Sequence, residues 1–192
     1  MSGATRTRSG IGWDSHRFKA GRPLILGGVE FDGAQFGLDG HSDADVLTHA
    51  VMDALLGAAG LDDIGVHFPD SDGAYKDADS IALLRDVVAA AATAGWRVVH
   101  VDTTMLMERP KLGPYRTAIR ESLAGALGLA VGDVNVKAST GEGMGFVGRL
   151  EGAAALAVAT VESIADPAIS ERTRQLAAPR PRRAPARTRP GA

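Results

Sequence analysis

The strongest constraint on the fold is the alternation of helical and strand-like hydrophobic patterns along most of the chain. Apolar residues recur at helical spacing over residues 43–61, with Ser42 or Asp43 as the expected N-cap and Gly60 as the expected terminator. Alternation of this kind predicts an α/β or α+β fold in which helices cover one face of a single sheet. Further patterns predict a helix from Asp79 or Ser80 to about Ala94, a strand over residues 97–107, a helix over 115–127 and a strand over 134–138.

Four segments have less regular patterns. Residues 10–13 and 23–31 are short apolar runs bounded by glycine and turn residues, which predicts two strands with a strand end or loop, DSHRF, between them. Residues 62–77 are rich in Asp, Gly and Pro, and the length of this expected loop favours a functional role. Residues 150–164 fit a helix or a strand equally well.

Aliphatic side chains are more abundant than one helical layer on a sheet requires. The segments VDTTMLM and LEGAAALAVATVESIA carry many aliphatic groups and few charges. Such a surplus predicts that the second face of the sheet is also covered, so the sequence favours an obligate oligomer over a monomer.

The absence of cysteine narrows the chemistry. A chain with no cysteine has no disulfide scaffold, thiolate nucleophile or cysteine zinc site, so His, Asp and Glu must hold any metal. The N-terminus leads into no apolar signal region, and no stretch approaches the roughly 20 apolar residues of a membrane span. We therefore expect a cytoplasmic protein with no membrane partner.

The net charge of −2 conceals two unlike parts of the chain. Residues 171–192 hold seven Arg and one Glu, whereas the remaining residues hold 14 basic and 22 acidic side chains, a net charge of −8. Because phosphate binding needs clustered basic residues, no nucleic-acid partner is expected. The sequence predicts a flexible N-terminus over residues 1–7, one domain over 8–167 and a disordered Arg/Pro-rich tail over 168–192.

Histidine and aspartate cluster in the first third of the chain. Asp14 and His16 are two residues apart, so an extended backbone would point both side chains to one side. Asp45 and His49 are four residues apart on the first predicted helix and would share a face. Asp14, His16 and His49 together would give two nitrogen ligands, one oxygen ligand and an open position, as in catalytic zinc sites. The alternative is that these histidines are packed or solvated residues without a metal.

A glycine-rich segment, KASTGEGMGFVGR, follows the strand predicted at residues 134–138. Ser139 and Thr140 can donate hydroxyl hydrogen bonds to a phosphate, Glu142 can hold a hard divalent ion, and Arg149 can bind phosphate oxygens. The order of residues is not that of a P-loop. The alternative is a glycine-rich connection between two strands, but the density of polar groups favours phosphate binding.

Four motifs, IGWDSHRF, LDGHSDADVLTHAVMDALLGAAGLDDIGVHFPDSD, ERPKLGPY and VNVKASTGEGMGFVGRLEG, resemble the 2-C-methyl-D-erythritol 2,4-cyclodiphosphate synthase family over residues 8–165. The resemblance implies a homotrimer with active sites between neighbouring subunits. It also implies a phosphorus–oxygen lyase of the non-mevalonate isoprenoid route. That enzyme converts 4-diphosphocytidyl-2-C-methyl-D-erythritol 2-phosphate to the cyclic diphosphate and CMP.

The resemblance also implies roles for individual residues. Zinc or another divalent transition metal would be held by Asp14, His16 and His49, and magnesium or manganese on the substrate diphosphate by Glu142. Catalytic roles would fall to His41, Thr140 and Glu142. Contacts with the methylerythritol phosphate half would come from Asp14, His16, His41, Ser42, Asp63, Gly65, Phe68, Asp70 and Asp72. The cytosine pocket would be formed by Met107, Lys111, Leu112 and Gly113, with Ser139 and Thr140 near the nucleotide phosphates. Further substrate contacts would come from Phe146 and from Arg149, which would lie near the threefold axis.

Two alternative functions remain open from the residues. A zinc-dependent phosphohydrolase would use the same two-nitrogen, one-oxygen site to activate water. A trimer that binds a nucleotide or an isoprenoid without turnover would use the aliphatic segment 150–164 to line an axial cavity. The intact His/Asp set argues against the second alternative.

Overall fold

The computed structural model describes residues 5–75 and 77–164, and the predicted Arg/Pro-rich tail lies outside this range. Short 3₁₀ turns occur at Gly73–Tyr75, Gly113–Tyr115 and Val131–Asp133. The strands are β1 (Thr7–Ala20), β2 (Ile25–Leu26), β3 (Val29–Glu30), β4 (Phe36–Leu38), β5 (Trp96–Leu106), β6 (Val134–Ser139) and β7 (Gly152–Ser163). The helices are α1 (Val46–Ala59), α2 (Ile64–His67), α3 (Ser80–Thr93), α4 (Arg116–Leu127) and α5 (Gly145–Gly148).

One mixed sheet organises the fold, with strand order β4-β1-β7-β5-β6. Its neighbouring strands are antiparallel except for β5 and β6, which run parallel. Strands β2 and β3 form a separate small hairpin. Helix α1 packs on β1 and β7, α3 on β5, and α4 on β6. The predicted α/β architecture, a single main sheet with helices on one face, is confirmed.

The central contact of the fold is the close approach of α1 to β1. A methyl group on Gly12 would lie 1.9 Å from the backbone oxygen of Ala50, and one on Gly10 would lie 2.2 Å from that of Ala54. Both strand residues therefore leave room for the helix backbone itself. The neighbouring strand β7 contributes small buried side chains to the same layer, namely Ala153, Ala155, Ala157 and Ala159. The helix backbone can lie this close to β1 because Gly10 and Gly12 have no side chains there.

The ends of α1 are fixed by the residues beside it. Gly60 adopts a left-handed conformation and ends the helix, as the sequence predicts. Asp45, rather than Ser42 or Asp43, is the N-cap, and its carboxylate accepts hydrogen bonds from Thr48. The same buried carboxylate accepts backbone hydrogen bonds from Gly27 at 2.9 Å and Gly28 at 2.7 Å. It thereby ties the β2–β3 hairpin to the start of α1.

The structure corrects two strand predictions and resolves a third. The segment DSHRF belongs to β1, because residues 14–17 continue the pairing with β7 as far as Gly152. The single strand predicted over residues 23–31 is wrong: Gly27 and Gly28 both have positive φ and turn the chain into a hairpin. Residues 150–164, which fitted either element, contain the strand β7.

The face of the sheet opposite the helices carries exposed apolar side chains. Ile11 is 71% exposed and Trp13 is 50% exposed. Their partners on β7, Val158 and Leu156, are also exposed. Within residues 5–75 and 77–164, no helix is long and apolar enough to cross a bilayer.

We expect Gly12→Ala to destabilise the fold, because its methyl group would have to displace the α1 backbone at Ala50. Overpacking of this kind costs about 1–3 kcal/mol. The measurement is the free energy of unfolding in urea. The matched control is Gly125→Ala in α4, where an added methyl group meets nothing within 4 Å and should leave stability equal or slightly higher. Equal stabilities for Gly12→Ala and the parent protein would contradict this account of the helix–strand contact.

Candidate functional site

Three residues proposed as metal ligands from sequence spacing meet at the N-terminal end of α1. Strand β1 supplies Asp14 and His16 from one of its sides, and α1 supplies His49. The Nδ1 atom of His49 lies 2.9 Å from Asp14 Oδ2, and the Nε2 atom of His16 lies 3.1 Å from the same oxygen. These two ring nitrogens are 3.3 Å apart. The three side chains thus direct one donor atom each towards a common point.

The charges in this cluster are arranged to keep Asp14 ionised. Burial favours its neutral form, but hydrogen bonds from His16 and His49, and their positive charge, hold the pKa of Asp14 well below its usual range. Burial likewise opposes protonation of His49, but the hydrogen bond and charge of Asp14 and the charges of Asp45 and Asp43 raise the pKa of His49. The Asp14 carboxylate therefore favours the protonated form of His49.

The donor set suits a divalent transition metal. Asp14, His16 and His49 offer two imidazole nitrogens and one carboxylate oxygen that all lie within 4.8 Å of one another. This is the ligand set of catalytic zinc sites, which leave one position for water or substrate. A strand and a long helix hold the residues, so the site is rigid. Asp45, which the sequence placed on the same helix face as His49, points instead to the β2–β3 hairpin.

A cavity of about 460 Å³ opens beside the cluster. Two residues predicted to contact substrate, Asp63 and Asp72, do not line it. Asp63 caps α2 by accepting from the Val66 backbone at 3.1 Å, and the Asp72 carboxylate accepts from the Ala74 backbone at 2.9 Å. The cavity is lined by the three cluster residues, by the predicted contacts His41, Ser42, Gly65, Phe68 and Asp70, and by Gly40, Asp53, Ile64, Tyr75 and Leu83.

A second cavity, of about 340 Å³, lies at the ends of β5 and β6. Gly113, which the resemblance also assigns here, directly follows Leu112 and opens a 3₁₀ turn. Neither Phe146 nor Arg149 lines this cavity. Phe146 lies in α5, and Arg149 is paired with Glu151 at 2.7 Å. Its lining contains the predicted residues Met107, Lys111, Leu112, Ser139, Thr140 and Glu142, together with Met105, Pro110 and Ala138.

The glycine-rich segment after β6 is held by an unpredicted carboxylate. Glu108 Oε1 accepts from the Gly141 backbone at 2.8 Å and from the Gly143 backbone at 3.4 Å. Between these glycines, Glu142 has a φ of 52°, in the left-handed region that side-chain-bearing residues seldom adopt. The Thr140 hydroxyl donates to the Glu142 carboxylate. The loop is therefore a defined structure that presents Thr140 and Glu142 together.

Sequence reasoning missed other residues of the first site. Asp53 lines the cavity and accepts from the Ile64 backbone at 2.8 Å, and burial raises its pKa. Its position one helical turn after His49 was a usable signal. Ser80 and Asp43, which lie behind His49, join the site only because α3 packs beside α1. Local spacing contains no signal for such a contact.

These features define a class: a mixed α/β protein whose sheet and first long helix present a histidine–carboxylate cluster able to hold a metal ion. Residues 7–162 match the YgbB family, and the chain belongs to that family. The relationship to cyclodiphosphate synthases that the motifs indicated is confirmed by this match together with curated relatives of that name.

Two curated relatives show different extents of overlap. The 2-C-methyl-D-erythritol 2,4-cyclodiphosphate synthase of Symbiobacterium thermophilum is 57% identical over 152 residues, which are 79% of this chain and 96% of the relative. The bifunctional enzyme IspD/IspF of Anaeromyxobacter dehalogenans is 59% identical over 151 residues, which are 79% of this chain and 39% of the relative. The chain thus spans nearly all of one relative and about two fifths of the other.

The solved structure of the Plasmodium falciparum IspF CDP complex has the same fold. It matches with a TM-score of 0.72 at 27% identity, and the match covers 82% of this chain and 97% of that chain. The names of these relatives support neither the phosphohydrolase nor the non-catalytic binding protein left open by the sequence.

We expect His49→Ala and Asp14→Ala to lose bound transition metal while keeping the fold, because the strand and helix that carry these residues are packed by other side chains. The measurement is metal content by elemental analysis of protein purified with added zinc, with circular dichroism to confirm folding. The control is His67→Ala, since His67 bonds to the Leu61 carbonyl and lies outside the cluster. Full metal occupancy in both cluster variants would refute the assignment.

Proposed function

We propose that this chain converts 4-diphosphocytidyl-2-C-methyl-D-erythritol 2-phosphate to 2-C-methyl-D-erythritol 2,4-cyclodiphosphate and CMP. An oxygen of the 2-phosphate attacks the β-phosphorus, and the bond from that phosphorus to the CMP oxygen breaks. No water enters the products, so the enzyme would be a phosphorus–oxygen lyase. The main support is identity of 57% along nearly the whole of a relative named for this synthesis, combined with the convergence of Asp14, His16 and His49.

The cluster cavity suits the phosphorylated methylerythritol half of the substrate. Asp14, His16 and His49 would hold Zn²⁺ or another divalent transition metal, which when bound supplies a Lewis acid that polarises a phosphate oxygen. His41 and Ser42 line the same cavity and can hydrogen-bond to the bound phosphate or hydroxyl groups. Helix α2, which carries Gly65, and the segment after it, which carries Phe68 and Asp70, form another wall and would limit access of water.

The second cavity suits the cytidine diphosphate half. Met107 and Leu112 are buried and offer an apolar wall for a base. The hydroxyl groups of Ser139 and Thr140 can donate to phosphate oxygens, and Glu142 would hold Mg²⁺ or Mn²⁺ on the diphosphate. The CDP named for the Plasmodium falciparum structure supports this assignment. Gly113 directly follows the lining residue Leu112, and its predicted contact with the nucleotide is part of this proposal.

Positive charge near the second cavity is limited. Lys137 is paired with Asp102, and Arg149 is paired with Glu151. Lys111 lines the cavity and, within residues 5–75 and 77–164, has no ion-pair partner. The negative charge that develops on the departing CMP phosphate would therefore depend on Lys111 and on the divalent ions for compensation.

The two cavities favour a site shared between subunits. They have no lining residue in common. Asp14 is at the level of Ala155, Met105 and Ala138 in the sheet, so three strand spacings, about 14 Å, separate β1 from β6 there. The exposed apolar face around Trp13 needs a partner surface. A homotrimer that joins the cluster of one subunit to the nucleotide cavity of its neighbour satisfies both requirements.

Several finer assignments stay predictions. They comprise the roles of Asp63, Asp72, Phe146 and Arg149, the cytoplasmic location, and the domain limits at residues 8 and 167. The tail at 168–192 lies outside the described residues.

Phosphorus NMR of the products tests the reaction. With the cytidyl substrate and added divalent ions, we expect CMP and a cyclic diphosphate to form in equal amounts. The linear bisphosphate with CMP would instead indicate a phosphohydrolase, and unchanged substrate would indicate a binding protein. The Asp14→Ala variant serves as the control for activity from other enzymes in the preparation.

Subunit mixing tests the shared site. We expect inactive His49→Ala and inactive Lys111→Ala chains, refolded together, to recover part of the parental activity. Some interfaces would then combine an intact cluster from one chain with an intact nucleotide cavity from the other. The control mixes His49→Ala with Asp14→Ala, which cannot restore a cluster. If mixed trimers form but show no more activity than either variant alone, the cluster and the nucleotide cavity of one site would belong to the same subunit.

A further inference from the structure

The ring of His49 is held from its far side as well as from the metal cluster. Its Nδ1 atom faces Asp14 and His16, whereas its Nε2 atom lies 3.0 Å from the Ser80 hydroxyl oxygen and 3.2 Å from that of Ser42. Ser80 is fully buried, and His49 is only 8% exposed. These hydroxyls therefore meet the imidazole where bulk water cannot substitute for them.

The direction of the Ser80 hydrogen bonds follows from its second partner. The Ser80 hydroxyl donates to the Asp43 carboxylate, which as an ionised group can only accept. The same carboxylate also accepts from the Ser80 backbone at 2.9 Å and from the Asp45 backbone at 3.2 Å, so its orientation is fixed. Because the single hydroxyl proton of Ser80 is directed to Asp43, its oxygen is left to accept from His49.

Ser42 constrains the His49 Nε2 atom less than Ser80 does. Its hydroxyl oxygen accepts from the Ala44 backbone at 3.2 Å, and no carboxylate among the described residues accepts its proton. The Ser42 hydroxyl can therefore either donate to or accept from His49 Nε2, whereas the Ser80 hydroxyl oxygen can only accept from it. The difference makes Ser80 the residue to test.

We infer that Ser80 and Asp43 are positioning residues that keep the proton of neutral His49 on Nε2, so that the Nδ1 lone pair faces the metal cluster. A neutral imidazole carries one ring proton, and only the unprotonated nitrogen can bind a cation. The chain from His49 through Ser80 to Asp43 places a carboxylate one hydroxyl away from a metal-binding histidine. Carboxylates commonly orient such histidines by direct contact.

The inference extends the proposed metal site and depends on it. Ser80 is the first residue of α3, and its backbone N–H also bonds to Asp43, so a structural role for Asp43 at this helix start is expected in any case. A change at the Ser80 hydroxyl separates the structural role of Asp43 at the helix start from its role in orienting His49. Ser80→Ala removes the bond to His49 and keeps the backbone contact with Asp43.

The test measures zinc affinity by competition with a chromophoric chelator, using the purified full-length oligomer at one fixed pH. We expect Ser80→Ala to weaken zinc binding about 10- to 100-fold, the usual range for loss of a group that orients a metal ligand. Ser80→Thr, which keeps a hydroxyl, should recover most of the affinity. The absorption spectrum of bound Co²⁺ should shift in Ser80→Ala and remain near parental in Ser80→Thr.

The matched control is Thr103→Val, which removes another buried hydroxyl, one that donates to the Asn135 carbonyl away from the cluster. It should leave zinc affinity and the Co²⁺ spectrum unchanged. Zinc affinity of Ser80→Ala within threefold of the parental protein would overturn the inference and leave the proposed reaction intact. A loss of zinc affinity in Ser80→Ala no larger than the loss in Thr103→Val would also overturn the inference. Failure of the parental protein to bind zinc or Co²⁺ would overturn the metal site and this inference together.

Discussion

The contact between α1 and β1 is the constraint on which the rest of the structure depends. Gly10 and Gly12 have no side chains where the helix backbone passes, so the helix lies directly on the strand. Asp14 follows Gly12 on the same side of β1, and His49 precedes Ala50 on the helix. The close approach of α1 to β1 therefore also brings His49 Nδ1 within 2.9 Å of Asp14 Oδ2. A site built on such elements is more rigid than one built on loops.

Sequence periodicity predicted the parts of the fold that local pattern determines. The helical spacing and Gly60 predicted α1, Asp79 predicted the start of α3, and two simple spacings predicted the cluster of Asp14, His16 and His49. Strand β7 was ambiguous because a run of alanines suits a helix or a strand, and only its place between β1 and β5 decides. The contacts of Ser80 and Glu108 cross 31 or more residues of sequence, beyond the reach of any local pattern.

The carboxylates around the site have distinct roles. Asp45 and Glu108 accept backbone hydrogen bonds and hold a hairpin and a glycine-rich loop in place. Asp14 instead faces two histidines and has a lowered pKa, while the pKa of His49 is raised. A proton and a metal cation therefore compete for the same nitrogen of His49. Asp45 also acts on that competition through its charge, which raises the pKa of His49 and so favours the proton.

Strand β1 carries two different surfaces on alternate residues. Gly10, Gly12 and Asp14 face the helices, whereas Ile11 and Trp13 belong to the exposed apolar face. Since successive side chains of a strand point to opposite sides, inserting or deleting one residue here would exchange the two sets. The aromatic ring would then meet the helix backbone, and the carboxylate would enter the apolar face. This strand can therefore diverge by substitution but not by a change of length, so alignments of homologous chains should be free of gaps across it.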